Sequence, residues 1–239
     1  STPISTTAPA IAWIAVLVLL IAGSRSLLTG GIAPVGEFLR FPESPGDLFD
    51  AYRSGWNPNG LGETTPNPTG WAALSVMSVT TLFRMGLLHT IVILGMAVVG
   101  MIGVWKLATV FPSTRARIGA LVVYAGSPLI AGAYSSGAFD VLVAVAAVPW
   151  MIHTLRRAVG LETADPRLAA ASDVVDGIIE ISWPERLRRT AQFGLVVALA
   201  TAFEPVLLLI ALGVGLLLAV GTLLALASWR TAIGYLGST

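Results

Sequence analysis

The sequence contains no cysteine and only two histidines among its 239 residues. The absence of cysteine excludes disulfide bonds, thiolate nucleophiles and cysteine-ligated metal sites. His89 and His153 lie far apart, and the acidic residues are scattered, so no metal-site spacing is present. We therefore expect no cofactor, and the sequence leaves open whether a divalent metal ion accompanies the substrate.

Charged residues are also scarce, at 11% of the chain against 55% apolar residues. The formal net charge is +1, and lysine and arginine occur in small dispersed groups, which excludes the basic patch typical of nucleic-acid binding. The mean hydropathy of +0.82 and several apolar runs of spanning length predict an integral membrane protein instead. We therefore expect membrane lipid to be a binding partner of the protein.

Six apolar runs have the pattern of membrane-spanning helices. They are residues 8–23, 86–105, 118–134, 138–153, 187–203 and 206–228. A seventh run, residues 71–83, is short and carries Ser75, Ser78 and Thr81 on one stripe, which is typical of an interfacial or re-entrant helix. The predicted fold is an all-α polytopic transmembrane bundle that forms one domain over residues 1–239.

Two polar segments interrupt these runs, residues 24–85 and residues 154–186. Glycine and proline break any long helix in the first segment, although residues 47–53 have the pattern of a short helix with Ser44-Pro45 at its start. In the second segment, the pattern of residues 173–180 places apolar side chains on one helical face and acidic side chains on the other. This pattern predicts a surface amphipathic helix.

The positive charges predict the orientation, because lysine and arginine concentrate in short cytoplasmic loops. If residues 71–83 do not cross the bilayer, ten of the 14 basic residues share one side, and we assign that side to the cytoplasm. Both ends are then cytoplasmic, residues 24–85 form an outer loop, and residues 154–186 form a cytoplasmic loop.

On this topology, seven carboxylates face outward: Glu37, Glu43, Asp47, Asp50, Glu63, Asp140 and Glu204. A carboxylate at the mouth of a membrane bundle costs free energy unless it is hydrated, paired with a cation or bound to a ligand. Each of the seven is therefore a candidate site residue. Asp47 and Asp50 are the predicted catalytic pair, because acids three residues apart share one face of a helical turn. A carboxylate there can take a proton from an acceptor hydroxyl. The alternative is structural, with Asp47 as a helix N-cap and Asp50 paired with Arg53.

Eight further residues are predicted to bind substrate: Tyr52, Arg53, Trp56, Asn57, Arg84, His89, Asp140 and Glu204. Trp56 and Asn57 suit a sugar-stacking platform with a hydrogen-bonding amide, whereas the alternative is an Asn-Pro turn with the tryptophan in the lipid headgroups. His89 suits a phosphate contact, whereas the alternative is a histidine hydrogen-bonded inside the bundle. Glu204-Pro205 also fits a simple capped turn.

The order of these motifs resembles that of multi-pass glycosyltransferases of the GT-C type. The resemblance lies in an apolar first helix, an outer loop with Asp-Leu-Phe-Asp-Ala-Tyr at 47–52, Trp-Asn-Pro at 56–58, and a Gly- and Pro-rich approach to a short helix. The segments 24–31 and 47–62, with Tyr124-Ala125, look like the membrane region of large actinobacterial glycosyltransferases. Some of those proteins carry a cytosolic family 2 glycosyltransferase domain ahead of the membrane part. The similarity covers roughly residues 10–157, and it implies a bacterial plasma membrane as the location.

The resemblance implies a polyprenyl-phosphate-linked sugar donor, a cell-envelope glycan or lipid acceptor, and a catalytic acid in the first outer loop, at Asp47 or Asp50. The chain departs from the family pattern because Ser24-Arg25-Ser26 stands where an acidic pair would follow the first span. A non-enzymatic alternative is a module that transports or positions lipid-linked glycans for a catalytic domain elsewhere. The start at Ser1, without methionine, suggests a piece of a longer protein.

Overall fold

A computed structural model describes residues 7–25, 32, 36–38, 41–56, 62, 64, 67–159 and 183–226. Every regular element in these ranges is helical, which confirms the all-α class for this part of the chain. The helices are α1 (Thr7–Gly23), α2 (Pro45–Arg53), α3 (Gly70–Met77), α4 (Met85–Leu107), α5 (Thr114–Ala125), α6 (Pro128–Ser136), α7 (Phe139–Ala158), α8 (Trp183–Phe203) and α9 (Val206–Leu226). Short 3₁₀ turns, Ser78–Thr81 and Ala108–Val110, follow α3 and α4. The predicted amphipathic helix at 173–180 lies outside the described residues.

Three stretches are long and apolar enough to cross a bilayer: Met85–Val110, Thr114–Ser136 and Phe139–Ala158. Their most apolar windows have mean hydropathies of 2.3, 1.4 and 1.4. Helix α1 and the segment Val206–Leu218 of α9 are also apolar but shorter. These lengths and compositions agree with an integral membrane protein, whereas crossing by α1, α8 and α9 stays a prediction.

Helices α4 and α7 run in the same direction and form the central pair of the bundle. The indole Nε1 of Trp150 on α7 donates a hydrogen bond of 2.9 Å to the Val99 carbonyl on α4. A β-carbon on Gly100 would lie only 2.8 Å from the Val145 carbonyl oxygen, and one on Gly103 would lie 2.8 Å from the Trp150 ring. Glycine therefore permits the close approach of these two helices, as small residues do between membrane helices.

Helices α5 and α6 return the chain so that α7 can run parallel to α4. Ser127 accepts a hydrogen bond from the Leu129 amide and Pro128 takes the first helical position, so the chain bends between α5 and α6. Gly137, at φ +70°, ends α6 in a left-handed conformation that favours glycine. The hydroxyl of Tyr134 donates to the Ile93 carbonyl at 2.9 Å, which ties α6 to α4.

Helix α8 packs against α7 and ends beside the start of α7. Their shared core contains Val143, Met151 and Ala200. The rings of Phe139 and Phe203 lie 6.3 Å apart at the end of this interface. The start of α7 and the end of α8 therefore lie at the same end of the bundle.

Helix α2 begins as its sequence predicts, with one correction. The amide of Asp47 donates to the Ser44 side chain at 3.1 Å, and Pro45 occupies the first turn. Ser44 is thus the N-cap, and the alternative that made Asp47 the N-cap is wrong. Among the described residues no ion pair joins Asp50 to Arg53, so the second structural alternative is not found either.

Candidate functional site

A cavity of about 190 Å³ lies at the end of the bundle where α7 begins and α8 ends. Three carboxylates line it, those of Glu37, Asp140 and Glu204, and His89 adds an imidazole. Five aromatic side chains also line it: Phe38, Phe41, Trp71, Phe139 and Phe203. Within the described ranges no lysine or arginine lines this space, which we call the acidic cavity.

Glu37 enters the cavity wall because its segment is fixed to the turn between α6 and α7. Its backbone amide donates to the Gly137 carbonyl at 2.8 Å, and its Oε2 accepts from the Asp140 amide at 3.3 Å. Gly36 precedes it at φ +60°, and a β-carbon there would overlap the Ser136 carbonyl oxygen. The Glu37 carboxylate thus caps the start of α7 from a distant part of the chain.

Asp140 is the second residue of α7 and is exposed at the cavity mouth. A carboxylate in the first helical turn is favoured by the helix dipole. No hydrogen bond or ion pair to its side chain is found in the described part of the chain. Of the three carboxylates in the cavity, Asp140 is therefore the one whose oxygens are all available to a ligand.

Glu204 lies between α8 and α9 and is partly buried. Its Oε1 accepts a hydrogen bond of 3.3 Å from the amide of Val206, the first residue of α9. This confirms the capped turn at Glu204-Pro205 that the sequence predicts as an alternative. The same carboxylate lines the acidic cavity, so the two roles coexist.

His89 is the most deeply buried polar group in the cavity wall, with 6% of its surface exposed. Its ring meets Phe41 edge-on, with 4.7 Å between the ring centroids. Over the described residues neither ring nitrogen has a hydrogen-bond partner, and neither is fully buried, so the alternative of a histidine bonded inside the bundle is not found. A neutral imidazole can use both a donor and an acceptor partner. The acidic cavity is the place where a bound molecule can supply them.

The aromatic side of the cavity comes from residues that sequence reasoning missed. Trp71 belongs to α3, whereas Phe139 and Phe203 flank the two acids Asp140 and Glu204 in the chain. Gly70 permits α3 to approach Phe203, because a β-carbon there would lie 2.6 Å from the ring Cε1. Phe38, Phe139 and Phe203 each adjoin a cavity acid in the chain, but Phe49-Asp50 has the same pattern outside the lining, so that pattern alone does not identify the site.

The predicted catalytic pair lies outside the cavity lining. Asp47 and Asp50 are exposed on α2, and only Leu48 of that helix reaches the cavity. Tyr52 and Arg53 follow on the same helix and do not line the cavity either. A catalytic role for Asp47 or Asp50 stays a prediction, but the structure does not place either acid with His89, Asp140 and Glu204.

The loop after α2 holds Trp56 in a half-exposed position. A β-carbon on Gly62 would lie 2.5 Å from the Trp56 ring, so the indole packs against that glycine. The buried side chain of Asn67 donates to the carbonyls of Ala51 and Trp56 at 2.8 and 2.7 Å. Asn57 and Glu63 lie outside the described residues. Arg84 is exposed at the N-cap position of α4 and does not line the cavity.

The opposite end of the bundle carries positive charge. Glu185, at the start of α8, forms ion pairs with Arg188 at 2.8 Å and Arg189 at 2.6 Å. Hydrogen bonds from Arg188, and then from Arg189, lower the pKa of Glu185 to about 2. Lys106 and Arg157 lie in the last turns of α4 and α7, so the two ends of the bundle differ in sign.

No group of three or more histidine, aspartate or glutamate side chains in the described ranges is placed to hold a metal ion. No protein-family model, curated protein or solved structure matches this chain. The function is therefore inferred from the chemistry of the acidic cavity.

Proposed function

We propose that the chain is a membrane-embedded glycosyltransferase domain, which transfers a sugar from a polyprenyl-phosphate-linked donor to a cell-envelope glycan or lipid acceptor. The observation that supports this best is the acidic cavity, which joins three carboxylates and a buried histidine to five aromatic rings. Carboxylates accept hydrogen bonds from sugar hydroxyls, and aromatic faces pack against the apolar faces of sugar rings. The apolar helices beside the cavity suit a donor that is held in the bilayer.

In this proposal Asp140 is the general base, because its carboxylate is not engaged by the backbone. It takes the proton of an acceptor hydroxyl while that oxygen attacks the anomeric carbon. The bond between that carbon and the phosphate oxygen breaks, and the phosphate leaves with the electron pair. Glu37 and Glu204 orient hydroxyl groups with the lone pairs that their helix caps leave free. His89 hydrogen-bonds the sugar from the buried wall.

We further propose six spans with both ends cytoplasmic, so that the acidic cavity opens at the outer face of a bacterial plasma membrane. The positive charge at the other end supports this, because basic residues favour the cytoplasmic side. Cysteines introduced at Ser54 and Ser113, both exposed, test it in a chain with no background thiol. An impermeant maleimide applied to intact cells should label Ser54→Cys and spare Ser113→Cys. The reverse pattern would overturn the orientation.

The catalytic proposal is tested with Asp140→Asn in the full chain, assayed in membranes with a radiolabelled polyprenyl-phosphate sugar. Loss of a general base slows such reactions by roughly 10² to 10⁴-fold. Glu43→Gln is the matched control, because Glu43 is an exposed acid that does not line the cavity. Asp47→Asn and Asp50→Asn test the alternative that the general base lies on α2. If one of these two abolishes transfer and Asp140→Asn does not, the base lies on α2 and our assignment is wrong.

One observation favours the non-enzymatic alternative, a module that transports or positions lipid-linked glycans. Glu37 and Glu204 each accept a hydrogen bond from a helix amide, so two of the three carboxylates also have a structural role. A positioning module should retain full transfer in Asp140→Asn while its affinity for the lipid-linked donor falls. Measuring both the transfer rate and donor binding for the same variant therefore separates the two functions.

A further inference from the structure

The charge of the acidic cavity is unbalanced in a way that restricts its ligand. Three carboxylates line it, and among the described residues no lysine or arginine does. A phosphate placed there would meet three like charges and no basic side chain, so it is a poor occupant of this space. We propose that the acidic cavity binds a ligand through a protonated amine, and that the donor phosphate lies outside it. The inference rests on the proposed function only in taking that ligand to be a sugar.

The carboxylates have acceptor capacity left for an ammonium group. Glu37 uses one oxygen for the Asp140 amide, and Glu204 uses one for the Val206 amide, each at 3.3 Å. A carboxylate has two oxygens with about four lone-pair sites, so most of this capacity remains. An ammonium group offers three donors and no acceptor, which matches the three carboxylates of this wall, since an ionised carboxylate only accepts.

The aromatic rings support the same ligand chemistry. A cation that lies over an aromatic face is attracted by the ring quadrupole, and sites that recognise substituted ammonium groups combine several rings. Trp71, Phe139 and Phe203 supply aromatic rings in the same cavity wall as Asp140 and Glu204. Carboxylates together with aromatic rings form a site for an organic cation more readily than one for a neutral sugar alone.

His89 provides a second polar contact that is independent of the acids. It is more than nine-tenths buried, lines the cavity, and has no hydrogen-bond partner in the described part of the chain. Its neutral ring accepts a hydrogen bond from a hydroxyl or an ammonium group. The volume of about 190 Å³ is below the roughly 300 to 1,000 Å³ of typical drug-sized pockets, so a single small ring is the expected occupant.

The test measures binding of small probes to the full chain in lipid nanodiscs by isothermal titration. We expect glucosamine to bind at least tenfold more tightly than N-acetylglucosamine, which lacks the basic amine. Glu204→Gln should weaken glucosamine binding about tenfold, since it removes one of three negative charges. Glu43→Gln is the matched control and should bind like the wild type, because Glu43 lies outside the cavity lining. Thermal unfolding of each variant checks that it is folded.

The outcomes separate this inference from the glycosyltransferase proposal. Equal affinity for glucosamine and N-acetylglucosamine would overturn the ammonium site and leave a sugar site standing. Binding of methylammonium with no binding of either sugar would support the ammonium site and contradict the proposed function. Glucosamine binding that Glu204→Gln and Asp140→Asn leave unchanged would overturn the inference, because the amine would then bind elsewhere.

Discussion

The carboxylate of Glu37 accepts a hydrogen bond from the backbone amide of Asp140, a residue 103 positions further along the chain. The contact satisfies an amide of the first turn of α7 that has no partner within its own helix. It also brings a second carboxylate to the mouth of the acidic cavity. One long-range contact therefore links the stability of α7 to the assembly of the site.

Replacing Glu37 with alanine should lower the free energy of unfolding by about 1 kcal/mol, the usual cost of losing a helix N-terminal acceptor. Glu37→Gln should retain most of the stability, because the amide oxygen can accept the same bond. Chemical unfolding in detergent micelles measures the difference. The control is Glu43→Ala, an exposed acid outside the cavity lining. A Glu37→Ala variant as stable as that control would show that the contact does not stabilise α7.

The sequence predicts the helices well because their signals are local. Apolar runs predict the long helices, and Ser44-Pro45 marks the start of α2 within two residues of its predicted position. Pro205 similarly marks the turn between α8 and α9. These features depend on neighbours within one or two helical turns, so composition and spacing are sufficient to find them.

The acidic cavity was only partly predictable, because it depends on contacts between distant segments. His89, Asp140 and Glu204 could be named from their places at helix ends, but Glu37 appeared only as one outward acid among seven. The spacing of Asp47 and Asp50 instead predicts a catalytic pair on one face of a helical turn. The burial of Leu48 turns that face of α2 inward and leaves both acids exposed, which only packing decides.

Gly70→Ala should change the shape of the acidic cavity by displacing one of its walls. The added β-carbon would lie 2.6 Å from Cε1 of Phe203, so α3 or the ring must move. Overpacking of this kind costs about 1 to 3 kcal/mol. We expect the free energy of unfolding to fall by that amount, and intrinsic fluorescence to report a changed environment at Trp71.

Gly95→Ala is the matched control for this change. Gly95 lies in α4 and a β-carbon there would meet nothing within 4 Å. Alanine at an open helical position is expected to be neutral or slightly stabilising. If Gly70→Ala behaved in the same way as Gly95→Ala, the contact between α3 and Phe203 would not be a close one in solution.

The ion pairs of Glu185 predict a pH dependence at the other end of the bundle. Its pKa in the folded chain, about 2, is below the ordinary value of 4.5. The pairs therefore stabilise the folded state above pH 4.5, and this contribution is lost as the pH falls toward 2. Carboxyl NMR titration should find Glu185 ionised at pH 3.5. In Arg188→Gln the pKa should rise, since the Arg188 hydrogen bond is the largest cause of the shift.

Arg186→Gln is the control for that titration. Arg186 is exposed on the same helical turn and forms no ion pair with Glu185 in the described structure. Its loss should leave the midpoint of Glu185 nearly unchanged. Equal shifts in the two variants would indicate a general effect of positive charge rather than the specific hydrogen bond.

The 3₁₀ turn after α3 should lie in lipid, which would make residues 71–83 a re-entrant helix rather than a surface one. Val79, Leu82 and Phe83 are 58%, 80% and 57% exposed, so an apolar tip projects from the protein. The amides of Leu82 and Phe83 donate to carbonyls within the turn at 3.2 and 2.9 Å. A turn whose polar groups are satisfied internally can enter the hydrocarbon region, where water cannot satisfy them.

Fluorescence quenching measures this depth, since single cysteines can be added to a chain that has none. A bimane label at Leu82→Cys should be quenched by lipids with a nitroxide on the acyl chain. A label at Ser54→Cys, at the polar end of α2, should respond to aqueous iodide instead. Quenching of Leu82→Cys by headgroup nitroxides alone would place the turn at the interface. Resistance to every quencher would mean that protein, and not lipid, covers the apolar tip.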